Sequence, residues 1–456
     1  MRTATAVLAV LIAFTITAVA QCSAAEPGIV LDGPVGLSPQ GAHYMTKLGV
    51  HWERDFVSWA ALEPKPGQLD MFQVSALAGG LASLPAGTKV IIDVVRTPQW
   101  ESGSTDPVHP PQNPSDYAAF VGAMAKRFAG KVAAWEIWNE EDDSLWWAPG
   151  PDPAAYAALL RAAYPAIKAG DPKAKVIVGG LTGNDFEYLS QLYANGAKGS
   201  FDAVGVHTDD ACELNSPYEF ERNGATDRRI ERWSFLGYRT VHETMLANGD
   251  DKPIWMTELG WNTSSQRCDS GVYAGQKAGG VTPAHQAKFL LQAYHCLAQT
   301  PYVQVGIWFG LLDTEPFGTP IGSYGLLESN LTPKPAFAAL AHYAHHGDQL
   351  RERCGDFSGP SIKLAHPTRD DHYQGFLPIV LSASDRLGVK RITIYYDHHQ
   401  IRNFSNSHTP RTLRGHWLWR GARFLSPGRH MFTVLAIDKR GNRSHAKTFI
   451  WRGGHR

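Results

Sequence analysis

The stretch VAAWEIWNEE at residues 132–141 is an apolar, tryptophan-containing run that ends abruptly in acidic residues. A second run of this kind, PIWMTELGW, occupies residues 253–261 and carries one acid, Glu258, near its end. Short apolar runs without polar alternation are typical of strands in a parallel sheet, which is buried on both faces. Each acid would therefore stand at the carboxyl end of a buried strand.

Repeated strand and helix patterns surround these two runs. Seven short β-branched runs alternate with longer Ala-rich segments, at residues 49–56, 89–95, 132–139, 175–180, 201–207, 253–259 and 303–309. Helices are predicted between them, for example at 114–128, 153–169 and 282–299, the first two opened by proline. An eighth run at 28–37 would close the sheet, so the sequence predicts an α/β fold with a (β/α)8 TIM barrel over residues 26–350.

The sequence pattern changes after Leu350. Residues 361–456 lack helical periodicity and contain turn signals such as 438–442. Alternating strands are predicted at 379–382, 390–396 and 430–437. Three segments resemble bacterial immunoglobulin-like modules, at 387–397, 427–430 and 436–442. We therefore predict that residues 361–456 form a small all-β, immunoglobulin-like sandwich, an accessory domain whose role the sequence leaves open.

The N-terminal segment, residues 1–25, has the pattern of a secretory signal peptide. A basic residue precedes an apolar run at 4–20 that is short for a membrane span, and small residues follow it. We expect cleavage after Ala25; cleavage after Ala20, an uncleaved anchor and a lipoprotein at Cys22 are the alternatives. The chain is therefore predicted to be secreted, without a membrane span once the signal is removed.

The cysteines fit an oxidising compartment. Loss of the signal peptide removes one of the 5 cysteines and leaves Cys212, Cys268, Cys296 and Cys354. Three pairings are possible, and we favour Cys212–Cys268 together with Cys296–Cys354. No CxxC pair occurs and the histidines show no ligand spacing, so we expect no metal site and no cofactor.

Charge and composition indicate the class of partner. The formal net charge is zero, with 43 basic and 43 acidic residues, so the chain as a whole has no field that would hold nucleic acid. The chain contains 14 Trp, 16 Tyr and 19 Phe residues, and aromatic faces can stack on the C–H surfaces of sugar rings. We expect a carbohydrate partner, no nucleic acid, and a monomeric protein.

Two glutamates are the candidates for chemistry. Glu140 and Glu258 end the predicted fourth and seventh strands, and the carboxyl ends of barrel strands are where (β/α)8 enzymes carry their active sites. Splitting a glycosidic bond requires one carboxyl group to protonate the leaving oxygen and another to attack or to activate water. Two strand-end glutamates across a barrel can supply both groups.

Side-chain alternation indicates which acids face inward. On the fourth strand Glu136 and Glu140 share one face, while Glu141 would point away. On the seventh strand Ile254, Met256 and Glu258 would share the inward face. Glu136 lies deeper than Glu140, and we interpret it as a structural acid that pairs with an interior arginine.

The residues at the two strand ends resemble a known group of enzymes. Asn139-Glu140 and Thr257-Glu258 look like the corresponding pairs of clan A of the retaining glycoside hydrolases. Further motifs resemble its family 39 branch of β-xylosidases, α-L-iduronidases and exopolysaccharide endoglycosidases: LGVHWER at 48–54, EP at 63–64, TPQW at 97–100, GPDP at 150–153 and GG at 179–180. The resemblance implies a retaining O-glycoside hydrolase that acts on an extracellular oligo- or polysaccharide.

The resemblance also implies a role for each matching residue. Glu140 would be the general acid/base, and Asn139 would hold the sugar hydroxyl beside the reacting carbon. Glu258 would be the nucleophile, and Arg54 would keep it ionised. His207 would lie beside the nucleophile. Two alternatives stay open: Arg54 could instead pair with the structural acid, and His207 could be an ordinary core histidine.

Four tryptophans are candidates for contacts with sugar rings. The resemblance implies that Trp308, on the eighth strand, forms the floor of the subsite at the reacting sugar; the alternative is that it is an ordinary core residue. Trp100, Trp146 and Trp261 follow other strand ends and could line outer subsites, or each could be a core residue. The chain departs from the group at 207–210, where HTDD replaces an expected aromatic, so xylosidase-like specificity is not implied.

Two other functions are compatible with the same residues. A carbohydrate-binding or adhesive barrel would have no turnover to lose when Glu258 is replaced by Gln. A transglycosylase would use both acids and pass the sugar to an acceptor. The sequence leaves open the sugar, the linkage and the choice between internal and terminal cleavage. It also does not decide whether the C-terminal module binds glycan, acts as a spacer or braces the barrel.

Overall fold

The described residues fall into two compact units, which divide after Cys354. The computed structural model describes residues 25–31, 36–208, 215–219, 230–268, 275, 279–314, 319–351, 353–354, 359–385, 388–439 and 442–453. Of the predicted signal peptide only Ala25 belongs to this set, so the signal peptide stays a prediction. None of the helices among these residues is long and apolar enough to span a bilayer.

Eight parallel strands form a closed barrel in the first unit, in the order in which they occur along the chain. They are β1 (Glu26–Val30), β2 (Trp52–Ser58), β3 (Lys89–Val95), β4 (Ala134–Ile137), β5 (Lys175–Leu181), β6 (Ala203–Thr208), β7 (Ile254–Leu259) and β8 (Val303–Trp308). Because β1 pairs with both β2 and β8, the sheet has no edge, and the predicted (β/α)8 barrel is confirmed. The first strand begins earlier than the run predicted at 28–37.

Helices connect the strands. They are α1 (Pro39–Leu48), α2 (Trp59–Leu62), α3 (Met71–Ser83), α4 (Gln99–Ser102), α5 (Pro114–Arg127), α6 (Pro153–Gly170), α7 (Phe186–Ala194), α8 (Tyr238–Ala247), α9 (Pro283–Ala298) and α10 (Pro335–His346). The prolines that predicted two helix starts lie at the first turn of α5 and α6, where a missing N–H costs nothing. Asn113 and Asp152 precede them and accept hydrogen bonds from the free N–H groups of the first turn.

The amino-terminal half of the barrel interior is filled by apolar side chains. They are Val30, Trp52, Ile91, Ala134, Ile177, Ala203, Trp255, Val305 and Ile307. The rings of Trp52 and Trp255 meet edge to face with centroids 4.9 Å apart, and the Trp52 indole donates to Glu26 over 2.7 Å. This layer closes the amino-terminal end, so polar groups inside the barrel concentrate at the carboxyl ends of the strands.

The second unit is a small β-sandwich. Its strands are β9 (Ser361–His366), β10 (Asp371–Tyr373), β11 (Leu377–Ser384), β12 (Val389–Tyr396), β13 (His399–Ser405), β14 (Thr412–Trp419), β15 (Gly428–Asp438) and β16 (Arg443–Arg452). One sheet has the order β10-β16-β15-β12-β13 and the other β14-β11-β9. Buried residues alternate with exposed ones along β11, as expected for a strand with one face on a core. The all-β prediction is confirmed, while likeness to immunoglobulin modules stays a prediction.

Candidate active site

Arg54 on β2 is the centre of a buried network of charges inside the barrel. Its Nε donates to Glu136 Oε2 and its Nη1 donates to Glu258 Oε1, each over 2.5 Å. Its Nη2 donates over 2.9 Å to Asp93 Oδ2 and to Asn139 Oδ1. One guanidinium therefore contacts groups from β3, β4 and β7. The sequence left open whether Arg54 pairs with Glu258 or with Glu136, and it contacts both.

The charge on Arg54 is permanent. Burial alone would disfavour it, but Glu136, Glu258 and Asp93 together raise the pKa of the guanidinium above its ordinary value. A cation in contact with a carboxylate favours the ionised form of that carboxylate. The contact between Arg54 and Glu258 therefore favours an ionised, nucleophilic group at the end of β7.

A β-bulge in β7 directs Glu258 into the barrel. Val206 of β6 pairs with Met256, but the next residue, His207, pairs with Glu258, so β7 has one residue more than its neighbour. Pairing with β8 also shifts between Met256 and Leu259. An extra residue of this kind reverses the alternation of side chains along a strand.

The prediction that Ile254, Met256 and Glu258 share one face is wrong. Trp255 belongs to the apolar cluster inside the barrel, so its neighbours Ile254 and Met256 point to the opposite face, toward the helices. The bulge then returns Glu258 to the interior, where it is 5% exposed. Strict alternation reached the correct residue for the wrong reason, because a bulge leaves no periodic signal in the sequence.

Glu140 follows β4 in a turn and does not lie on the strand. β4 ends at Ile137, and both Trp138 and Glu140 have positive φ angles, of 71° and 47°. This conformation is uncommon for residues with a side chain and is concentrated at functional sites. The predicted alternation therefore stops with the strand. Trp138 packs against Tyr117 and Trp147 and does not line the barrel.

The environment of Glu140 favours its protonated form. Burial, together with the charge of Asp143, raises the pKa of Glu140 to about 7, while Arg54 and Trp146 act in the opposite direction. A fifth of the side chain, 21%, is exposed, so the group is accessible to a ligand. A carboxyl group that is still protonated near neutral pH can serve as a general acid.

Glu141, the next residue, lies outside this constellation. It is fully buried, and neither of its carboxyl oxygens has a hydrogen-bond partner within the described residues. Burial and the neighbouring Asp142 raise its pKa well above the ordinary value, so it is held as a neutral acid. A Cβ on Gly179 of β5 would lie 2.2 Å from Glu141 Oε2, so glycine is needed there to make room.

His207 of β6 links the two candidate catalytic groups. Its Nδ1 lies 2.9 Å from Glu140 Oε1 and 3.7 Å from Glu258 Oε2. Burial lowers the pKa of the imidazole, although Glu258 acts in the opposite direction, so the ring is neutral at pH 7. A Cβ on Gly180 of β5 would lie 1.8 Å from His207 Nε2, so this glycine provides the space that the ring occupies.

The same three side chains could be read as a metal site. Glu140, His207 and Glu258 each place one ligand-type atom within 4.8 Å of the others. Two carboxylates and an imidazole form a donor set that a divalent cation accepts. However, the guanidinium of Arg54 already contacts Glu258, and a second cation beside it would be repelled. The arrangement therefore favours proton transfer and nucleophilic attack over metal binding.

Trp146 is a candidate aromatic residue that lies beside the acid. Its side chain acts to lower the pKa of Glu140, and its ring stacks on Phe56 of β2 with centroids 6.1 Å apart. The guanidinium of Arg54 lies 4.5 Å from the centroid of the Phe56 ring. Both aromatic rings are half-buried, so they offer accessible apolar surface next to the two carboxyl groups.

The other three tryptophans have their indole groups bound to the protein. Trp308 is fully buried and Trp261 is 5% exposed; each donates its indole N–H to a backbone carbonyl, and their rings lie 6.4 Å apart. Trp100 of α4 is half-buried and donates to the carbonyl of Glu63. Their roles as sugar-contacting residues stay predictions.

Asp93 and Phe56 belong to the site, and sequence reasoning missed both. Asp93 stands inside the apolar run KVIIDVV at 89–95, and an acid within a fully buried strand is a signal of an internal polar network. Phe56 gives no comparable signal, because an aromatic residue in a strand is ordinary core composition.

One of the two favoured disulfides is present. Cys296 of α9 is bonded to Cys354. Cys268 is also disulfide-bonded, but Cys212, its predicted partner, lies outside the described residues. The Cys212–Cys268 pairing therefore stays a prediction.

Solved structures with this arrangement of strands are found among glycoside hydrolases. The chain shares its fold with family 39 enzymes. A family 39 glycoside hydrolase from the gut symbiont Bacteroides cellulosilyticus WH2 matches with a TM-score of 0.56 and 16% identity, over 86% of this chain and 78% of that one. The GH39 enzyme from Xanthomonas axonopodis pv. citri matches with a TM-score of 0.53 and 15% identity, over 87% and 92%.

A GH39 β-xylosidase from Caulobacter crescentus is a third such structure, with a TM-score of 0.51 and 18% identity over 82% of each chain. No family model matches the chain, and no curated protein is significantly similar to it in sequence. Identities this low establish the fold alone. The activity therefore has to be argued from the chemistry of the site.

Proposed function

We propose that the chain is a secreted, retaining O-glycoside hydrolase that acts on an extracellular oligo- or polysaccharide. The observation that carries the proposal is that an oxygen of Glu140 and an oxygen of Glu258 lie within 4.8 Å of each other. Retaining enzymes hold their two carboxyl groups about 5 Å apart, whereas inverting enzymes need about 6.5–9.5 Å to admit a water molecule. The fold shared with family 39 enzymes supports the same class of reaction.

The environments of the two glutamates support different roles. Glu258 contacts the permanent cation Arg54, which suits a nucleophile that must be ionised. Glu140 has a pKa of about 7, which suits an acid that must keep its proton until the leaving group departs. His207 is neutral at pH 7 and contacts both carboxyl groups, so it fixes their relative orientation without adding a charge.

The reaction follows from these roles in two steps. In the first step Glu258 forms a bond to the anomeric carbon, the bond to the leaving oxygen breaks, and that oxygen takes the proton of Glu140. In the second step the carboxylate of Glu140 removes a proton from water, the water oxygen attacks the anomeric carbon, and Glu258 is released. Two inversions at one carbon give net retention.

Asn139 suits a role in binding the reacting sugar. Its Oδ1 accepts from Arg54 Nη2 over 2.9 Å, which fixes the orientation of the amide and leaves its Nδ2 as a donor. Asn139 directly precedes Glu140 in the chain, so a sugar hydroxyl held by this donor would lie next to the reacting bond. Such a contact contributes to catalysis by positioning the substrate.

The proposal is tested by a panel of polysaccharides and aryl glycosides, with the first-formed anomer followed by NMR. We expect turnover with retained configuration. Glu140→Gln and Glu258→Gln should each lower kcat on the active substrate by at least about 10³-fold, because each removes a group that acts in the chemical step. Glu141→Gln is the matched control, since it replaces a buried neutral acid by a neutral amide and should leave kcat within a few-fold.

Each rival has a distinct outcome. An initially inverted product would overturn the two-step mechanism. Binding of a glycan with no turnover by any substrate would identify a binding protein, and a product that grows when an acceptor sugar is added would identify a transglycosylase. Export is tested separately, by finding the protein in the culture medium with Glu26 as its first residue.

A further inference from the structure

The zero net charge of the chain conceals two units of opposite charge. Residues 355–456 contain 17 Lys and Arg residues, 6 Asp residues and no Glu. The whole chain balances 43 basic against 43 acidic residues, so residues 1–354 carry the corresponding excess of negative charge. A positive excess of this size concentrates anions around the C-terminal unit. The zero net charge of the whole chain therefore gives no reason to exclude a polyanionic partner for this unit.

A groove opens at one edge of the sandwich. It has a volume of about 590 Å³ and is lined by Ile401, Trp417, Leu418, Trp419, Arg420 and Gly421. β13 is the last strand of the five-stranded sheet and β14 the last strand of the three-stranded sheet. No other described strand pairs with these edges, so the groove between them is open to a ligand.

The groove has an aromatic surface. Trp417 and Trp419 lie two residues apart on one face of β14, with ring centroids 6.3 Å apart. Trp419 is 8% exposed and belongs to the core, whereas Trp417 is half-buried and presents part of its ring. On the same face, Gly415 lets the ring of Phe404 from β13 pack against β14, since a Cβ there would lie 2.8 Å from that ring. Flat aromatic surface of this kind suits stacking against a sugar ring.

Two arginines flank this aromatic surface. The guanidinium of Arg402, on β13, lies 5.2 Å from the centroid of the Trp417 ring, and Arg420 lines the groove itself. Both side chains are exposed, and within the described residues neither has a carboxylate partner. A guanidinium that rests on a ring keeps its N–H donors free to bind a carboxylate or a sulfate in bidentate fashion.

We infer that this groove binds an anionic polysaccharide, with Trp417 stacked on a sugar ring and Arg402 and Arg420 paired with its carboxylate or sulfate groups. The choice of a polysaccharide over another polyanion rests on the proposed function of the barrel. A second binding site on the same chain raises the local concentration of a polymeric substrate at the catalytic unit. The C-terminal unit is thereby assigned a binding role.

The test measures binding by the full-length chain in the Glu258→Gln background, where no turnover interferes. The probes are polygalacturonate, its methyl-esterified form, dextran sulfate, dextran and double-stranded DNA, each in about 0.15 M salt. We expect polygalacturonate or dextran sulfate to bind at least about tenfold more tightly than the neutral form of the same backbone. DNA should bind more weakly than the better of the two anionic polysaccharides.

Matched variants locate the site. Arg402→Gln with Arg420→Gln should weaken polysaccharide binding at least about tenfold, because two charge-assisted contacts are lost. Lys363→Gln with Lys447→Gln removes the same charge from exposed positions on β9 and β16 and should change binding by less than about threefold. Trp417→Ala should also weaken binding. If the alanine variant is less stable, Trp417→Phe, which keeps a smaller aromatic ring, should weaken binding in part.

The outcomes separate this inference from the proposed function. Equal losses in the two double variants would show a general charge effect and overturn the groove as the site. Equal binding of charged and neutral polysaccharides, tighter binding of DNA, or no binding at all would overturn the ligand class. Turnover of a small aryl glycoside by chains with an intact Glu258 reports on the barrel alone, and the groove variants should leave it unchanged.

Discussion

At the scale of single residues, acidic side chains outnumber basic ones in the candidate active site. One guanidinium, Arg54, contacts the carboxyl groups of Glu136, Asp93 and Glu258 in the buried interior of the barrel. A second cation is missing from this set within the described residues, so a further negative charge nearby is disfavoured. Glu140 lies beside this cluster, and its pKa is raised mainly by its own burial and by the charge of Asp143, with a smaller contribution from Glu136, so it keeps its proton to a higher pH than an ordinary carboxyl group.

The first prediction concerns pH. Because the pKa of Glu140 is raised to about 7, the acid form is present below that pH and is lost as the pH rises through it. We expect kcat for a substrate with a poor leaving group to fall on the alkaline side of about pH 7, as the general acid ionises. A pH profile of kcat measures this.

The control for the pH profile is Glu141→Gln. Glu141 does not take part in the proposed reaction, so its removal should leave the alkaline limb in place. An alkaline limb that moves in the Glu141→Gln protein would contradict the assignment.

The raised pKa of Glu140 also has a consequence for the stability of the fold. The folded state binds the proton of Glu140 more tightly than the unfolded chain, so this contribution to stability is full at low pH and is lost as the pH rises toward 7.

The second prediction concerns Gly180. An alanine Cβ at this position would meet the imidazole of His207 at 1.8 Å, so the ring has to move and its contact with Glu140 is lost. We expect Gly180→Ala to lower kcat at least about tenfold through misplacement of the acid. Gly79→Ala is the control, because nothing lies within 4 Å of a Cβ there. A fully active Gly180→Ala protein would show that His207 does not position Glu140.

At the scale of secondary structure, the sequence predicted where the strands lie better than how they end. β3 lies at the predicted residues 89–95, because a run of β-branched residues fixes a buried strand. β4 is shorter than the predicted 132–139, and Trp138 and Glu140, which follow its end, adopt left-handed conformations that no periodicity in the sequence indicates. The bulge in β7 likewise has no signal in the sequence. Both irregularities lie at the site, where function requires a departure from regular geometry.

Tyr156 of α6 supplies hydrogen bonds at the point where β4 ends and the chain leaves the sheet. Where β4 leaves the sheet, its hydroxyl donates to the carbonyl of Ile137 over 2.6 Å and accepts from the N–H of Gly179 over 2.8 Å. The side chain thus replaces two hydrogen bonds that the ladder between β4 and β5 no longer supplies. Buried backbone groups need such partners, since an unsatisfied one costs free energy.

The third prediction follows from that contact. Tyr156→Phe leaves a buried carbonyl and a buried N–H without the hydroxyl, so the free energy of unfolding should fall by about 1–3 kcal/mol. Denaturant unfolding measures this. Tyr164→Phe is the matched control on the same helix, since the Tyr164 hydroxyl makes a weaker contact of 3.3 Å with Asp202 in a partly exposed position. Equal effects of the two variants would contradict the bridging role.

At the scale of the whole molecule, the overall composition predicted less of the structure and of the binding partner than the order of residues along the chain. The closed barrel and its two glutamates followed from the alternation of apolar runs and from acids at strand ends. The charge of the chain, taken as one number, hid the basic unit at 355–456. Charge acts over roughly 8–10 Å in salt, so it has to be counted for each compact unit and not for the whole chain.

The fourth prediction concerns the disulfide between Cys296 and Cys354. It joins positions 58 residues apart, and linking the ends of a loop of that size removes entropy from the unfolded chain equivalent to about 4 kcal/mol. Cys296→Ser with Cys354→Ser should therefore lower the melting temperature of the first unit, measured by calorimetry in the absence of reductant. Adding reductant to the wild-type protein should lower it at least as far, because Cys268 is also disulfide-bonded. An unchanged melting temperature in the double variant would show that packing of α9 against its neighbours holds this segment without the covalent link.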